Sequence, residues 1–505
     1  MSRFEGSIES DSSARETHAE GSAGNKRRWD SSEERSSTEH QVDLAKEQRD
    51  GEKAMRGYEA FTRSSIAAQN ALKTLQMMKD AGANVVGKAA LFRCLEAPRF
   101  ANFHVLAKEA VKQALEPGFA LPNVQLNDNE TQDGIVMVVY PKMVPSTYAT
   151  IRVLRDLLKC RLPIEIWFRP DEMRKVTAAI DPLHQLAASD SIGGISFREI
   201  NDPLAVEFAT KVFAIYHSAF DRVLFLDSDN VPVRDPSFLF QTPEFLDTGA
   251  IFWPDFWHPQ HTMFYLGEDS LLGQLLIDRR RHAAAIELLR FFAFHRPNPF
   301  VQLKLVWGDK DLFRLAWLKL GASFHMIQRP PAVAGKVVNR SFCGMTMVQH
   351  DAEGAVLFLH RNSHKLTGGR IKNPADEKLK AMRRETPAVD QDRSASSSEE
   401  YPDAAIWTHL LSFRSSSPRS EYQIQSYHVE PEFPRDRICY GQRYLDANEN
   451  FYAQEFADLS FSGLETELRR FAMEAGQLHQ TKVDAVATEK HLQKRGQFRL
   501  QAVGD

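Results

Sequence analysis

The chain has 505 residues, 43% hydrophobic and 26% charged, enough apolar material for a packed interior and more length than one core usually uses. Its 63 Lys and Arg against 67 Asp and Glu leave a formal charge of -4, which gives no bulk attraction to nucleic acid or to an anionic membrane. Small disulfide-stapled, collagenous and wholly disordered architectures are excluded.

Residues 1–55 mix Ser, Glu, Arg and Gly without a hydrophobic period and read as a disordered segment. No apolar signal region opens the chain, and no uncharged run approaches the ~18 apolar residues of a membrane span, so the chain as written reads as soluble. Residues 56–133 form a helical flank: Ile66, Ala67, Ala71, Leu72, Leu75 and Met78 share one helical face, and Gly82 ends that helix.

The pattern changes at Gly134. GIVMVVY is a short apolar strand, STYATIRVLRDLLK a helix, LPIEIWF a second strand, VEFATKVFAIYHSAF a helix and VLFLDSDN a third strand. IFWPDFW, a Leu-rich helix from Ser270 to Phe294, and ASFHMIQ follow. This alternation predicts an α/β domain with a predominantly parallel sheet over 134–373. Residues 374–402 are a polar loop or linker. Residues 403–505 are a carboxyl-terminal extension packing on the core, with IWTHLLSF and YQIQSYHVE as returning strands or a small accessory unit, and a helical end.

Asp227 and Asp229 stand where the apolar strand VLFL stops, the end of a strand at which open α/β sheets gather ligands. Carboxylates there suit a hard divalent cation whose other ligands are phosphate oxygens; the alternative is that Asp227 and Asn230 cap the turn and Asp229 faces water. AVLFLHRNSHK places His360 and Lys365 after another apolar strand, as a further cation ligand and a phosphate partner, or as a strand-end histidine and a solvated lysine. In WGDKDLFRLAW, Asp309 and Asp311 either cap a helix or orient a sugar hydroxyl, and Trp307 either faces a sugar ring or packs. Trp253 and Trp257 flank Asp255 and either shape a carbohydrate pocket or belong to the core.

VLFLDSDNVPVRDPSFLF, TGAIFWPDFW, WGDKDLFRLAW, FCGMTMVQHDAEGAVLFLHRN and the earlier TYATIRVLRDLLKCRLPIEIW together resemble the alpha-mannosyltransferase family that includes fungal Golgi enzymes elongating mannan and glycoprotein glycans. The resemblance covers 134–365. It implies a GT-A-like nucleotide-diphospho-sugar transferase fold with a Rossmann-like, predominantly parallel or mixed sheet. GDP-mannose is then the donor, a mannoside or glycoprotein glycan the acceptor, and a divalent metal, normally manganese, the cofactor. The product retains the alpha configuration. The resemblance makes Asp227 and Asp229 the metal and diphosphate motif, His360 a further metal ligand and Lys365 a diphosphate partner. The segments Asp309 to Asp311 and Trp253 to Trp257, with Trp307, become donor and acceptor pocket elements. Lys211, on the helix before VLFLDSDN, is a second-rank donor candidate, and Arg152 and Arg155 rank with it.

The chain also departs from the family pattern. YPKMVPS replaces a glycine-containing segment after the first strand, and GEDSLLGQLLID only partly matches an ESGQ-like run, so Glu268 and Asp269 receive no role. No apolar amino-terminal anchor is visible, against the type II Golgi membrane architecture and the transferase complexes that the resemblance implies. The sequons at Asn129 and Asn339 are usable only in the secretory pathway. Cys94, Cys160, Cys343 and Cys439 have no zinc-finger or CxxC spacing; one or two disulfides are open, with three pairings if all four join. The rival functions are the same fold with a UDP-sugar donor, and a noncatalytic glycan-binding protein.

Overall fold

The computed structural model describes residues 97–124, 131–255, 272–302, 310–369, 401–414, 424–428, 438–445 and 449–501. The expectations for 1–55, for the helix after Ile66 and for 374–400 lie outside these residues, as do Cys94 and Asn129. The chain divides into Met1–Lys53 and Ala54–Asp505, and every described residue belongs to the second unit.

Among the described residues, seven strands form the first sheet. They are β1 (Asp133–Val138), β2 (Ile164–Phe168), β3 (Ile195–Glu199), β4 (Arg222–Phe225), β6 (Ala250–Pro254), β7 (Leu272–Asp278) and β8 (His325–Met326), in the order β3-β2-β1-β4-β7-β6-β8. The first four run parallel, β7 is antiparallel to both its neighbours, and β6 and β8 are parallel. The sheet is therefore mixed, and its parallel half is the half that carries the predicted α/β alternation. Both faces are covered, so its strands are apolar at successive positions. Ile135, Met137, Leu224 and Leu226 enter one core cluster, whereas Val136, Val223 and Phe225 enter the other.

The covering helices include α1 (Ala97–Ala114), α2 (Val144–Arg152), α3 (Asp181–Ser189), α4 (Ala209–His217), α5 (Ala283–Phe294) and α6 (Lys310–Leu320). The Leu-rich helix expected from Ser270 is corrected: Leu272–Asp278 is strand β7, and the helix begins only at Ala283. A short apolar run supports either period, and here the pairing of β7 with both β4 and β6 decides it. Asp278 closes the strand, its Oδ1 accepting from the Arg280 and Arg281 backbone N–H groups at 3.0 and 3.3 Å.

A second, antiparallel sheet is built from β5 (Asn230–Pro232), β9 (Ala332–Val338), β10 (Ser341–His350), β11 (Val356–Arg361), β12 (His409–Phe413), β13 (Gln425–His428), β14 (Ile438–Gly441) and β15 (Phe451–Glu455). The strands of the carboxyl-terminal extension thus return to the domain: β12 pairs with β9, and β14 with β10. A disulfide between Cys343 and Cys439 joins β10 to β14, while Cys160 is a free, buried thiol whose pKa burial pushes up to about 11. Helix α7 (Leu464–Gln501) buries Leu464, Leu468, Phe471, Ala472 and Ala475 on the core. Among the described residues no helix is long and apolar enough to cross a membrane.

Candidate active site

The two sheets meet in the turn after β4. Leu226 N–H donates to Val136 O at 3.0 Å, Asn230 N–H closes the turn on Asp227 O at 3.0 Å, and β5 then pairs with β11, setting Asn230 opposite His360. Arg361 N–H donates to Asp229 O at 3.0 Å. The short apolar strand therefore delivers Asp227 and Asp229 beyond the carboxyl end of a parallel strand, and β11 brings His360 to the same place.

Lys211 on α4 lies 2.8 Å from Asp227 Oδ1, and Lys310 at the start of α6 lies 2.5 Å from Asp227 Oδ2. Lys310 also donates to Gly273 O, and Gln274 Nε2 approaches Asp227 Oδ2 at 3.4 Å. Asp229 is held by His360 Nε2 at 3.1 Å from Oδ1 and by the Lys365 ammonium on Oδ2. Of the residues singled out in the sequence, the structure thus gathers Asp227, Asp229, Lys211, His360 and Lys365 into one cluster. Three lysines face two aspartates, a surplus of positive charge suited to an anion.

Burial opposes ionisation of Asp227, but the Lys211 and Lys310 ammonium groups hold its carboxyl well below the usual range. Burial drives His360 down to about 4, against the pull of Asp227, so its imidazole is neutral at physiological pH. Burial also lowers Lys365 to about 8, Asp227 opposing and Lys211 and Lys142 adding to the effect, which leaves it mostly an ammonium at neutrality. Tyr140, after β1, feels Lys211 and Asp227, so the YPKMVPS segment borders the same site.

Several other buried polar atoms here lack partners: Asn230 Nδ2 and Oδ1, Gln274 Oε1 and His360 Nδ1. Native interiors rarely leave such groups unpaired unless a ligand or water completes them. Among the described residues no three His, Cys, Asp or Glu side chains form a ready-made metal cage. The donor chemistry nevertheless suits a cation of the manganese class: two carboxylates, an imidazole with a spare lone pair, and the carboxamide oxygen of Asn230. The ammonium groups are the counter-charges that such an ion would replace.

The remaining predicted residues fall elsewhere. Trp253 is corrected: it is completely buried, its Nε1 donates to His350 O at 2.8 Å and its ring meets Phe358 edge-on, so it packs the core and offers no face to a sugar. Asp255 influences His360 electrostatically and so borders the site. Asp311 is buried in the first turn of α6. Asp309, Trp257 and Trp307 lie outside the described residues. Arg152 and Arg155 are engaged away from the carboxylates, Arg152 with Asp156 and Glu474 and Arg155 with Asp190. Sequence reasoning missed Lys310, hidden between two acids, and Gln274, whose signal is a single polar residue inside an apolar strand.

A mixed α/β sheet with paired carboxylates and clustered lysines at the end of β4 defines the class: a fold and site suited to a phosphorylated, nucleotide-like ligand. The family described as "Mannosyltransferase putative" matches residues 132–267 and 269–351. Alpha-1,2-mannosyltransferase MNN5 of Saccharomyces cerevisiae is 33% identical over 292 residues, covering 44% of this chain and 49% of that protein. Alpha-1,2-mannosyltransferase MNN21 of Candida albicans is 24% identical over 287 residues, covering 44% and 43%. The chain thus spans about half the length of the relatives it matches and bears a family resemblance to fungal mannosyltransferases. The solved mannosyltransferase Ktr4p from S. cerevisiae covers 48% of this chain and 81% of its own at 13% identity and a TM-score of 0.28. His360 and Lys365 lie beyond residue 351, where the family match ends, and the geometry brings both to Asp229.

Proposed function

We propose that this protein is a retaining alpha-mannosyltransferase of the GT-A type that moves mannose from GDP-mannose to a mannoside or glycoprotein glycan. The observation that carries the reading is the convergence of Lys211, Lys310 and Lys365 on Asp227 and Asp229 at the carboxyl end of β4. Ammonium groups at that point neutralise the diphosphate as its charge grows on departure. Asp227 and Asp229, with His360, are the residues that would hold a divalent cation, and such an ion supplies Lewis-acid stabilisation of the leaving group.

In the proposed step an acceptor hydroxyl attacks C1 of the mannose on the face from which GDP leaves. The bond from C1 to the phosphate oxygen breaks, the bond to the acceptor oxygen forms, and the hydroxyl proton passes to the departing diphosphate. Lys365, held as an ammonium against Asp229, is placed to pair with the diphosphate oxygens as a compact point charge. No second enzymic carboxylate is then needed as nucleophile, unlike the paired-carboxylate glycosidases. The disulfide between Cys343 and Cys439 supports an oxidising compartment, and the Golgi lumen as the particular one comes from the family resemblance. The acceptor and any transferase complex there follow from the same resemblance.

The test is mass-spectrometric detection of product from the full chain with GDP-mannose, UDP-glucose and UDP-galactose, an alpha-mannoside acceptor and added manganese. Transfer from GDP-mannose, lost in a folded Asp229→Ala variant, supports the assignment. Transfer from a UDP-sugar alone overturns the donor, and unchanged activity of Asp229→Ala overturns the site.

A further inference from the structure

Gln274 is the one polar residue between Gly273 and Ile277 of β7, and its side chain is 0% exposed. Its Nε2 donates toward Asp227 Oδ2 at 3.4 Å, which sets the orientation of the carboxamide, since the reverse setting would oppose two acceptor oxygens. Oε1 at the other end has no hydrogen-bond partner. A buried acceptor left in that state costs on the order of 1–3 kcal/mol. Support of Asp227 explains only the Nε2 end, and the buried neighbours Leu275 and Leu276 show that an apolar side chain suits this strand.

The unpartnered atom is an acceptor, so what it lacks is a hydrogen-bond donor. An ionised diphosphate has only lone pairs to offer, and those are matched by Lys211, Lys310 and Lys365 beside Asp227 and Asp229. The donors next to a diphosphate in a nucleotide sugar are sugar hydroxyls. Resting on the transferase reading above, we propose that Gln274 Oε1 accepts a hydrogen bond from a hydroxyl of the sugar being transferred, which makes Gln274 a specificity-determining residue. A site built around such a bond rejects the analogue that lacks the hydroxyl far more strongly than apolar packing does, because the buried oxygen is then left unpaired.

The experiment compares the full-length wild type with Gln274→Leu and Gln274→Met, each checked for native thermal unfolding. The donors are GDP-mannose, its four monodeoxymannose derivatives and the counterpart with deoxyribose. The wild type should disfavour one deoxymannose donor by about 100-fold or more in kcat/KM. Both variants should lose activity on GDP-mannose and narrow that one ratio to within about threefold, leaving the other ratios unchanged. Equal losses on every donor would assign Gln274 to the support of Asp227 and overturn the proposal, as would a change confined to the deoxyribose donor. Calorimetric binding of GDP separates the two levels of the argument. A wild type that neither binds GDP nor transfers sugar overturns the function itself, whereas transfer with unaltered ratios in the variants overturns only the role of Gln274.

Discussion

Gly476, inside α7, lies against Gly368 so closely that a Cβ on Gly476 would stand 1.9 Å from the Gly368 carbonyl oxygen. Gly368 has φ +62°, and its N–H donates to Asp403 Oδ2 at 2.8 Å. The turn that follows Lys365 is therefore clamped between the carboxyl-terminal helix and the segment at 403, and Arg361 adds a bond to Glu465 at 2.7 Å. The extension is part of what positions the proposed diphosphate lysine. Replacing Gly476 by Ala gains about 1 kcal/mol of helix propensity. The overpacking it introduces costs about 1–3 kcal/mol, and the group it meets is backbone that cannot rotate away. The clash should win: Gly476→Ala is expected to unfold a few degrees lower and to lose transfer activity with it, measured by thermal denaturation and steady-state kinetics. An unchanged melting temperature would mean that α7 shifts at no cost.

That clamp also shows what could be read without coordinates. β1, β2 and β4 are legible because each is a short, largely apolar run that is buried on both faces. β7 is not, because the same continuity suits a helix until β4 and β6 are known to flank it. In the site, Asp227 and Asp229 stand out by ending an apolar strand. Lys310 does not: 83 residues separate it from Asp227, and its sequence neighbours are acids that read as a helix cap. The aromatic density around Asp255 announces packing as readily as sugar binding, and only burial shows that Trp253 belongs to the core. Contacts made across the fold leave no local periodicity to read.

The pairing of Lys310 with Asp227 can be tested by a double-mutant cycle. Lys310→Met leaves the buried carboxylate with Lys211 as its remaining lysine partner, and Asp227→Asn leaves two ammonium groups crowded around a neutral amide. Each single variant should be destabilised, because stranding one member of a buried pair is costly. The double variant should be less destabilised than the sum, with a coupling of about 0.5–3 kcal/mol in urea unfolding. Strict additivity would show that the two groups do not interact in solution. Lys310→Met should also lower kcat/KM for transfer, since Asp227 is then less firmly ionised and placed.

The disulfide closes a sequence separation of 96 between Cys343 and Cys439 and so ties β14 to β10. In the chain-entropy account a loop of that size is worth about 4–5 kcal/mol, with measured losses of about 2–5 kcal/mol on removal. Cys439→Ser, or reduction with dithiothreitol, should therefore lower the denaturant midpoint clearly. Cys160→Ser should leave the response to reductant intact, because that thiol is buried and forms no disulfide. Equal midpoints with and without reductant would show that the bond is not formed in the protein as isolated.

Lys319, on α6, supplies a pH dependence whose sign is fixed by its burial. Removal from water, reinforced by Lys108, lowers its pKa from 10.5 to about 7. Between those two values the unfolded chain holds a proton that the folded chain has released, so stability rises with pH across the window. One such proton contributes a slope of at most about 1.4 kcal/mol per pH unit. Below pH 7 both states hold the proton and this contribution to the slope vanishes. Lys319→Met removes the titrating group and keeps an unbranched apolar stem, so it should stabilise the protein at neutral pH and flatten the alkaline rise in urea unfolding. Parallel pH profiles for the variant and the wild type would show that this ammonium remains solvated in the folded protein.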